Sequence, residues 1–262
     1  MTPGQPFQPL GLPPESSPPK EDPPIIKQDH YPFWRYADVA LFAGLLVASG
    51  LFCIVLVPLV FSWLHVHFQS RVTEALIMQA LLYLLGFSGL AVLFQVQYQR
   101  PFWHSLGWTS FRMPAWMVVM CGIATAFGVG GVSILLQTPN TNNRMTEMMQ
   151  DPHALVPVAI FAITLGPVAE ELGFRGFLQP LLVRSLGPVP GVIAAAIPFG
   201  LLHFQEYGNS WRHALLISLA GAAFGWMRYR TGSTQASTLM HASYNALEFV
   251  GFLAQPKGLP HT

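Results

Sequence analysis

Charge is scarce in this chain. Asp, Glu, Lys and Arg make up 10% of its 262 residues, against about 25% in an ordinary soluble domain, and that deficit excludes a conventional water-soluble fold. Cysteine is nearly absent: Cys53 and Cys121 both fall within apolar runs, too few and too separate for a disulfide framework or a cysteine metal cluster. They read as packing groups. The net charge of +1 leaves no electrostatic footprint for nucleic acid. No internal repeat is visible, and no polar segment is long enough for a separate soluble domain. Nothing near the N-terminus has the pattern of a cleavable signal, so the first apolar segment is expected to anchor uncleaved.

What is abundant is apolar length. Uncharged runs over residues 39–64, 75–96 and 114–136 each exceed the roughly 20 residues a helix needs to cross a bilayer core. Four less uniform segments follow, over 155–183, 188–204, 214–227 and 234–253. The expected fold class is all-α, a polytopic membrane helical bundle of about seven transmembrane helices. Only helices or closed barrels satisfy the backbone in lipid, and these long uniform runs are not barrel strands. The segments divide the chain into a disordered Pro-rich N-terminal tail (1–35), N-terminal transmembrane helices (36–137) and a C-terminal transmembrane core (150–254). A polar stretch, "TPNTNNRMTEMMQDPH", joins the last two.

With a cytoplasmic N-terminus, Lys20, Lys27, Arg35, Arg100, Arg112, Arg184, Arg228 and Arg230 lie on the cytoplasmic side. Arg71, Arg144, Arg212 and Lys257 lie opposite. The excess favours that orientation, in the cell membrane, and an odd number of spans then puts the C-terminus outside.

The ionisable groups inside the apolar segments are concentrated in the last four. "GPVAEELGFRGFLQ" carries Glu170, Glu171 and Arg175, "PFGLLHF" carries Phe199 and His203, and "HASYNALE" carries His241, Asn245 and Glu248. A charge at mid-membrane costs roughly 2.5–3.5 kcal/mol on insertion scales, so such groups face a polar interior and mark function. Glu171 and Arg175 are four apart and share a helix face suited to an ion pair. Glu170, turned about 100° away, is left free to act as a base. His241 and Asn245 share a face and can jointly donate to a developing oxyanion. Phe199 shares a face with His203, where its ring can pack beside the imidazole. Each group also has a plainer account. Glu171–Arg175 can hold helices in register, His203 can be an interfacial histidine, and Asn245 can bond two helices together. Glu248 is left out of the set.

Taken in order, Glu170-Glu171-x-x-x-Arg175, Phe199-x-x-x-His203 and His241-x-x-x-Asn245 resemble the CAAX-protease and bacteriocin-processing family of intramembrane proteases (type II CAAX prenyl endopeptidase-like). The resemblance covers about residues 150–250. It implies hydrolysis of peptide bonds at or in the bilayer, with a peptide or protein substrate, lipid-modified or membrane-bound in some relatives. Glu170 would activate water, His203 would help hold it, His241 and Asn245 would bind the oxyanion, and Glu171, Arg175 and Phe199 would support the site. Two accounts stay open for the water. Glu170, His203 and His241 could hold a divalent metal such as zinc with an open position, or the glutamate could work without one.

Rival chemistries fit less well. H-E-x-x-H and G-x-G-D are absent, and Asp38 sits at a helix end. "GFSG" (86–89) resembles the rhomboid nucleophile motif, but neither "HFQEYG" nor "HASYNA" supplies the histidine pattern that accompanies it; the glycines read as a close helix contact. A non-enzymatic scaffold or immunity protein is the alternative from another class. A transporter is the weaker rival, because the two halves are so unlike. One tension remains: counted along the helices, His241 lies about 10 Å from the inner face, and Glu170 and His203 about 20 Å.

Overall fold

The computed structural model describes residues 31–66, 68, 70–139, 147–148 and 151–254. The tail up to residue 30, with Lys20 and Lys27, lies outside the described residues, as do Arg144 and Lys257. The described residues are helical with no strand, a polytopic bundle: α1 (Tyr36–Trp63), α2 (Arg71–Tyr98), the short α3 (Phe102–Ser105), α4 (Ala115–Leu135), α5 (Leu155–Leu186), α6 (Pro188–Leu202), α7 (Trp211–Thr231) and α8 (Thr234–Leu253). Four of them, α1, α2, α4 and α5, are long and apolar enough to cross a membrane, and α6 is a shorter apolar helix. Seven spans were expected. α7 and α8 have the length but carry Arg228, His241, Asn245 and Glu248, so their composition is that of helices facing a polar interior.

Local chemistry sets the helix ends. The Arg35 N–H donates to Asp38 Oδ2 at 2.7 Å and the Tyr98 hydroxyl to the same oxygen at 2.6 Å. Asp38 is thus a capping residue that ties α1 to the end of α2. Ser70 Oγ accepts from the Val72 N–H at 3.1 Å and Ser233 Oγ from the Ala236 N–H at 3.3 Å, capping α2 and α8. Gly232, at φ +69°, ends α7 in the left-handed conformation that glycine adopts without cost.

α5 is continuous but widened twice, over Phe161–Leu165 and Leu172–Leu178. Each wide turn closes at the residue before a proline, Gly166 before Pro167 and Gln179 before Pro180. A proline ring clashes with the carbonyl four residues back and offers no N–H, so the helix relieves the clash by opening to i→i+5 bonds.

Two apolar clusters hold the bundle. Trp34, Phe42, Leu90, Phe94, Leu172, Phe177 and Leu181 join α1, α2 and α5. Val118, Ala220, Phe224, Met227, Ala236 and Met240 join α4, α7 and α8. Although sequence order groups α4 with the first two spans, its buried face packs on α7 and α8. Within residues 31–35, read with the tail, Pro32 and Trp34 are buried, and the Trp34 Nε1–H donates to the Phe177 carbonyl at 3.0 Å. A large aromatic next to an apolar helix start gains more from burial than from exposure. In the "GFSG" stretch, a Cβ at Gly86 or Gly89 would strike Leu46 or Leu45 of α1, so these glycines permit close helix packing. The outward faces of α1 and α2 expose Leu51, Ile54, Val55, Leu84 and Val92, a surface suited to lipid.

One end of the bundle gathers the start of α1, the end of α2, the 106–109 loop, the end of α5, the end of α7 and the start of α8. Contacts across it include Tyr36 with Ser185, Arg184 with Pro32, Arg228 with Tyr31, and Thr234 with Leu106. Arg35, Arg100, Arg112, Arg184, Arg228 and Arg230 all belong to segments at this end.

Candidate active site

α5 supplies a ladder of polar side chains one turn apart, Glu171, Arg175 and Gln179, all buried. Arg175 Nη1 lies 3.0 Å from Glu171 Oε1, with the two side chains 1% and 0% exposed. Its Nη2 donates to the Gly221 carbonyl of α7 at 2.7 Å, and the guanidinium lies 4.2 Å from the centre of the Phe199 ring, a cation–π distance. One turn on, Gln179 Nε2 donates to the Gly225 carbonyl at 2.9 Å. Both glycines are needed for this approach. A Cβ at Gly221 would stand 2.9 Å from Arg175 Nη2 and 2.8 Å from Phe199, and one at Gly225 would stand 2.6 Å from Gln179 Oε1.

On the other side of Glu171 is His241 of α8, its Nδ1 3.1 Å from Glu171 Oε1. A carboxylate only accepts, so Nδ1 carries the proton. The imidazole stacks on Phe224 (ring centres 4.5 Å apart, planes at 19°) and meets Phe199 edge-on at 5.9 Å. Its free Nε2 lies 3.8 Å from Glu170 Oε2. The Glu170 side chain is 25% exposed where that of Glu171 is 0% exposed. One carboxylate is locked into the helix contact and the other faces open space.

His203 caps the end of α6. Its Nδ1 lies 2.8 Å from the Phe199 carbonyl; a carbonyl only accepts, so Nδ1–H donates and Nε2 is left with its lone pair. Phe199 packs on this ring too, centres 5.0 Å apart. Asn245 is engaged elsewhere. The Gly166 N–H returns to the Phe161 carbonyl across the wide turn, and Pro167 has no N–H to offer. The Ala162 carbonyl left over accepts from Asn245 Nδ2 at 2.8 Å. The second N–H of that amide is not used by this bond.

The difference in depth expected from counting along the helices is resolved by the placement of α5. Gly176 meets the Leu106 carbonyl, where a Cβ would be 2.8 Å away, and Thr234 at the start of α8 donates to the same carbonyl at 2.6 Å. Gly176 and Thr234 therefore share a level, and the rest of α5, to Leu186, extends beyond the start of α8. Glu171 and His241 lie on the same side of that level, about 8 and 10 Å along their helices.

Glu170, Glu171, Arg175, Phe199 and His241 thus form one contiguous cluster, with His203 joined to it through Phe199 and Asn245 held against α5. The two accounts of the water, metal-bound or metal-free, are not separated by this geometry. Among the described residues no group of three or more His, Cys, Asp or Glu side chains converges to hold an ion. His241 Nδ1 is engaged by Glu171 and His203 Nδ1 by a backbone carbonyl, which leaves Nε2 of both rings open, an arrangement compatible with binding either water or a metal.

Sequence reasoning missed Gln179, Gly221, Phe224 and Gly225. The "GAAFG" spacing of small residues in α7 (221–225) was the available signal for a close helix contact. Missed too was Tyr207, in the α6–α7 connection, stacked on His213 with ring centres 4.9 Å apart. Burial pushes its phenol up, and the carboxylates of Glu206, Glu248 and Glu170 push the same way.

Residues 152–247 match the family model of the Rce1-like type II CAAX prenyl endopeptidases. The chain is also similar to "CAAX prenyl protease 2" of Caenorhabditis elegans, 30% identical over 98 residues, which is 32% of this chain and 37% of the relative. The chain thus spans little more than a third of the length of that curated protein. No solved structure matches it. The matched span begins just before α5 and ends within α8, enclosing every residue of the cluster, and over those residues the chain is similar to the Rce1-like type II CAAX prenyl endopeptidases.

Proposed function

We propose that this protein is a membrane-embedded endopeptidase in which Glu170 activates the attacking water. The observation that carries the reading is the division of labour between two adjacent carboxylates. Glu171 is consumed by Arg175 and His241, whereas Glu170 is half-open and faces His241 Nε2 at 3.8 Å. A base must be free to take a proton, and of the two carboxylates only Glu170 is.

The proposed steps use this chain's own groups. Water bound between Glu170 and His203 Nε2 gives its proton to the Glu170 carboxylate as its oxygen bonds to the scissile carbonyl carbon. The carbonyl oxygen becomes an oxyanion. His241 can donate to it through Nε2 only as the imidazolium, because Nδ1–H is already given to Glu171. Glu171 stabilises that imidazolium, and with Arg175 and Glu170 the four groups are balanced in charge. The remaining Asn245 N–H is a second donor to the oxyanion. The C–N bond then breaks, and the proton on Glu170 passes to the leaving amine. No step runs through a metal.

The substrate class we infer is a peptide or protein segment reached from the bilayer, lipid-modified peptides included, in line with the name of the nematode relative. The basic end of the bundle supports a cytoplasmic N-terminus. The test is cleavage of a peptide library, with and without prenyl groups, by wild type and Glu170→Gln in mild detergent, with bound zinc measured alongside. Metal-free cleavage lost in a folded Glu170→Gln protein supports the reading. Cleavage that survives the substitution overturns it, and stoichiometric zinc with chelator-sensitive activity overturns the metal-free step.

A further inference from the structure

At the basic end of the bundle a cleft of about 290 Å³ opens between the end of α5, the end of α7 and the segment before α1. Its lining includes Tyr31, Gln179, Val183, Arg184 and Arg228. Arg228 is only 8% exposed, and its hydrogen-bond partners are neutral: Nε donates to Thr234 Oγ1 at 3.0 Å and Nη2 to the Tyr31 hydroxyl at 3.1 Å. Arg184 donates to the Pro32 carbonyl. Among the described residues neither guanidinium has a carboxylate partner. Each guanidinium has five N–H donors, and these bonds use two from Arg228 and one from Arg184. A largely buried, uncompensated cation is costly, and two lining one cleft repel each other unless an anion joins them. On the inner wall Gln179, 3% exposed, gives Nε2 to Gly225 and leaves Oε1 with no partner, an acceptor waiting for a donor.

We propose that this cleft binds the phosphodiester headgroup of an acidic phospholipid. The phosphate would lie between Arg184 and Arg228, and a headgroup hydroxyl would reach Gln179 Oε1. Three observations favour a lipid over other anions. The cleft lies at the end of the bundle where the helices that cross the membrane terminate, the depth of headgroups. Its wall combines the cations with apolar Pro32, Pro180 and Val183, matching the junction of a headgroup and its chains. Arg175 reaches the inner wall of the cleft but is already paired with Glu171; the unpaired Arg184 is fourteen residues past Glu170 on α5, about 20 Å or roughly six extended residues away, which disfavours a substrate carboxylate as its anion. The inference does not depend on the proposed peptidase activity.

The test is thermal unfolding of the full chain in zwitterionic detergent, titrated separately with phosphatidylglycerol, phosphatidylcholine and inorganic phosphate, with native mass spectrometry to count retained lipid. Arg184→Gln removes an exposed charge from the cleft together with its bond to the Pro32 carbonyl, and Arg184→Lys, which keeps the charge, separates the two effects. Arg230→Gln removes an exposed charge from the same end but outside the cleft. The expected result is a saturable rise in Tm with phosphatidylglycerol only. Loss of one charge-assisted contact should raise the lipid concentration required by about tenfold or more in Arg184→Gln, with Arg230→Gln behaving as wild type and Arg184→Lys partly restored. Equal shifts with both lipids, or equal weakening by the two Gln variants, would overturn the site. The same shift with inorganic phosphate alone would overturn the lipid as its occupant.

Discussion

The Asn245 amide donates to the Ala162 carbonyl across the α5–α8 contact at 2.8 Å, and it does so because Pro167 cannot. An oxyanion donor and a structural strut are therefore the same side chain, and the two roles can be separated. Asn245→Leu leaves a carbonyl unsatisfied and should lower stability by about 1–3 kcal/mol. Adding Pro167→Ala supplies a backbone N–H and should recover much of the stability. If Asn245 also donates to the oxyanion, kcat stays low in the stabilised double variant; recovery of kcat would leave only the strut.

Glu170→Gln should separate chemistry from folding. The side chain is part-exposed and its contact with His241 is long, so the unfolding midpoint should move little, by under about 1 kcal/mol in free energy. Turnover should fall by about 10²–10⁴-fold, the usual worth of a general base. Kinetics and thermal unfolding of the same preparation check both halves.

Glu171→Gln and Arg175→Met should behave oppositely. Each leaves one charge buried with its partner gone, a loss of about 3–5 kcal/mol, and Arg175→Met also frees the Gly221 carbonyl. We expect low yield, a reduced Tm and activity falling with the folded fraction. The pair Glu171→Leu/Arg175→Met should be more stable than Arg175→Met alone, because no charge is stranded; a double variant no more stable than that single one would contradict the reading.

Gly221→Ala should be costly for a single methyl group. It would press on Arg175 and Phe199 at under 3 Å, and overpacking of this kind costs about 1–3 kcal/mol. Because Phe199 touches both His203 and His241, kcat/KM should fall more than the loss of folded protein explains. Gly128→Ala, with open space at its Cβ, is the matched control and should be neutral or slightly stabilising.

Much of the site was legible in one dimension. Helical spacing alone places Arg175 over Glu171 and rotates Glu170 away, and the contacts follow that geometry. The membrane character followed from the lack of charge and from runs too long and too apolar for a soluble helix. Other features were not legible. Gln179 reads as an ordinary polar residue until α7 supplies the Gly225 carbonyl. Nor was the packing of Trp34 legible, because its burial depends on Phe94 and Phe177, far away in sequence.

The sequence by itself determined the properties that belong to a single segment: apolar length, helical character, the face shared by residues four apart, and the asymmetry of positive charge. Hydrophobicity and helical periodicity are local, and they act whatever the rest of the chain does. The tertiary structure alone decided that His241 also holds Glu171, which proton each histidine carries, what Asn245 bonds, and the level at which α5 meets α8. Those outcomes depend on where a donor on one helix finds an acceptor on another. Tight packing at glycine contacts and the two proline-widened turns of α5 fix that register, and no spacing along one chain segment encodes it.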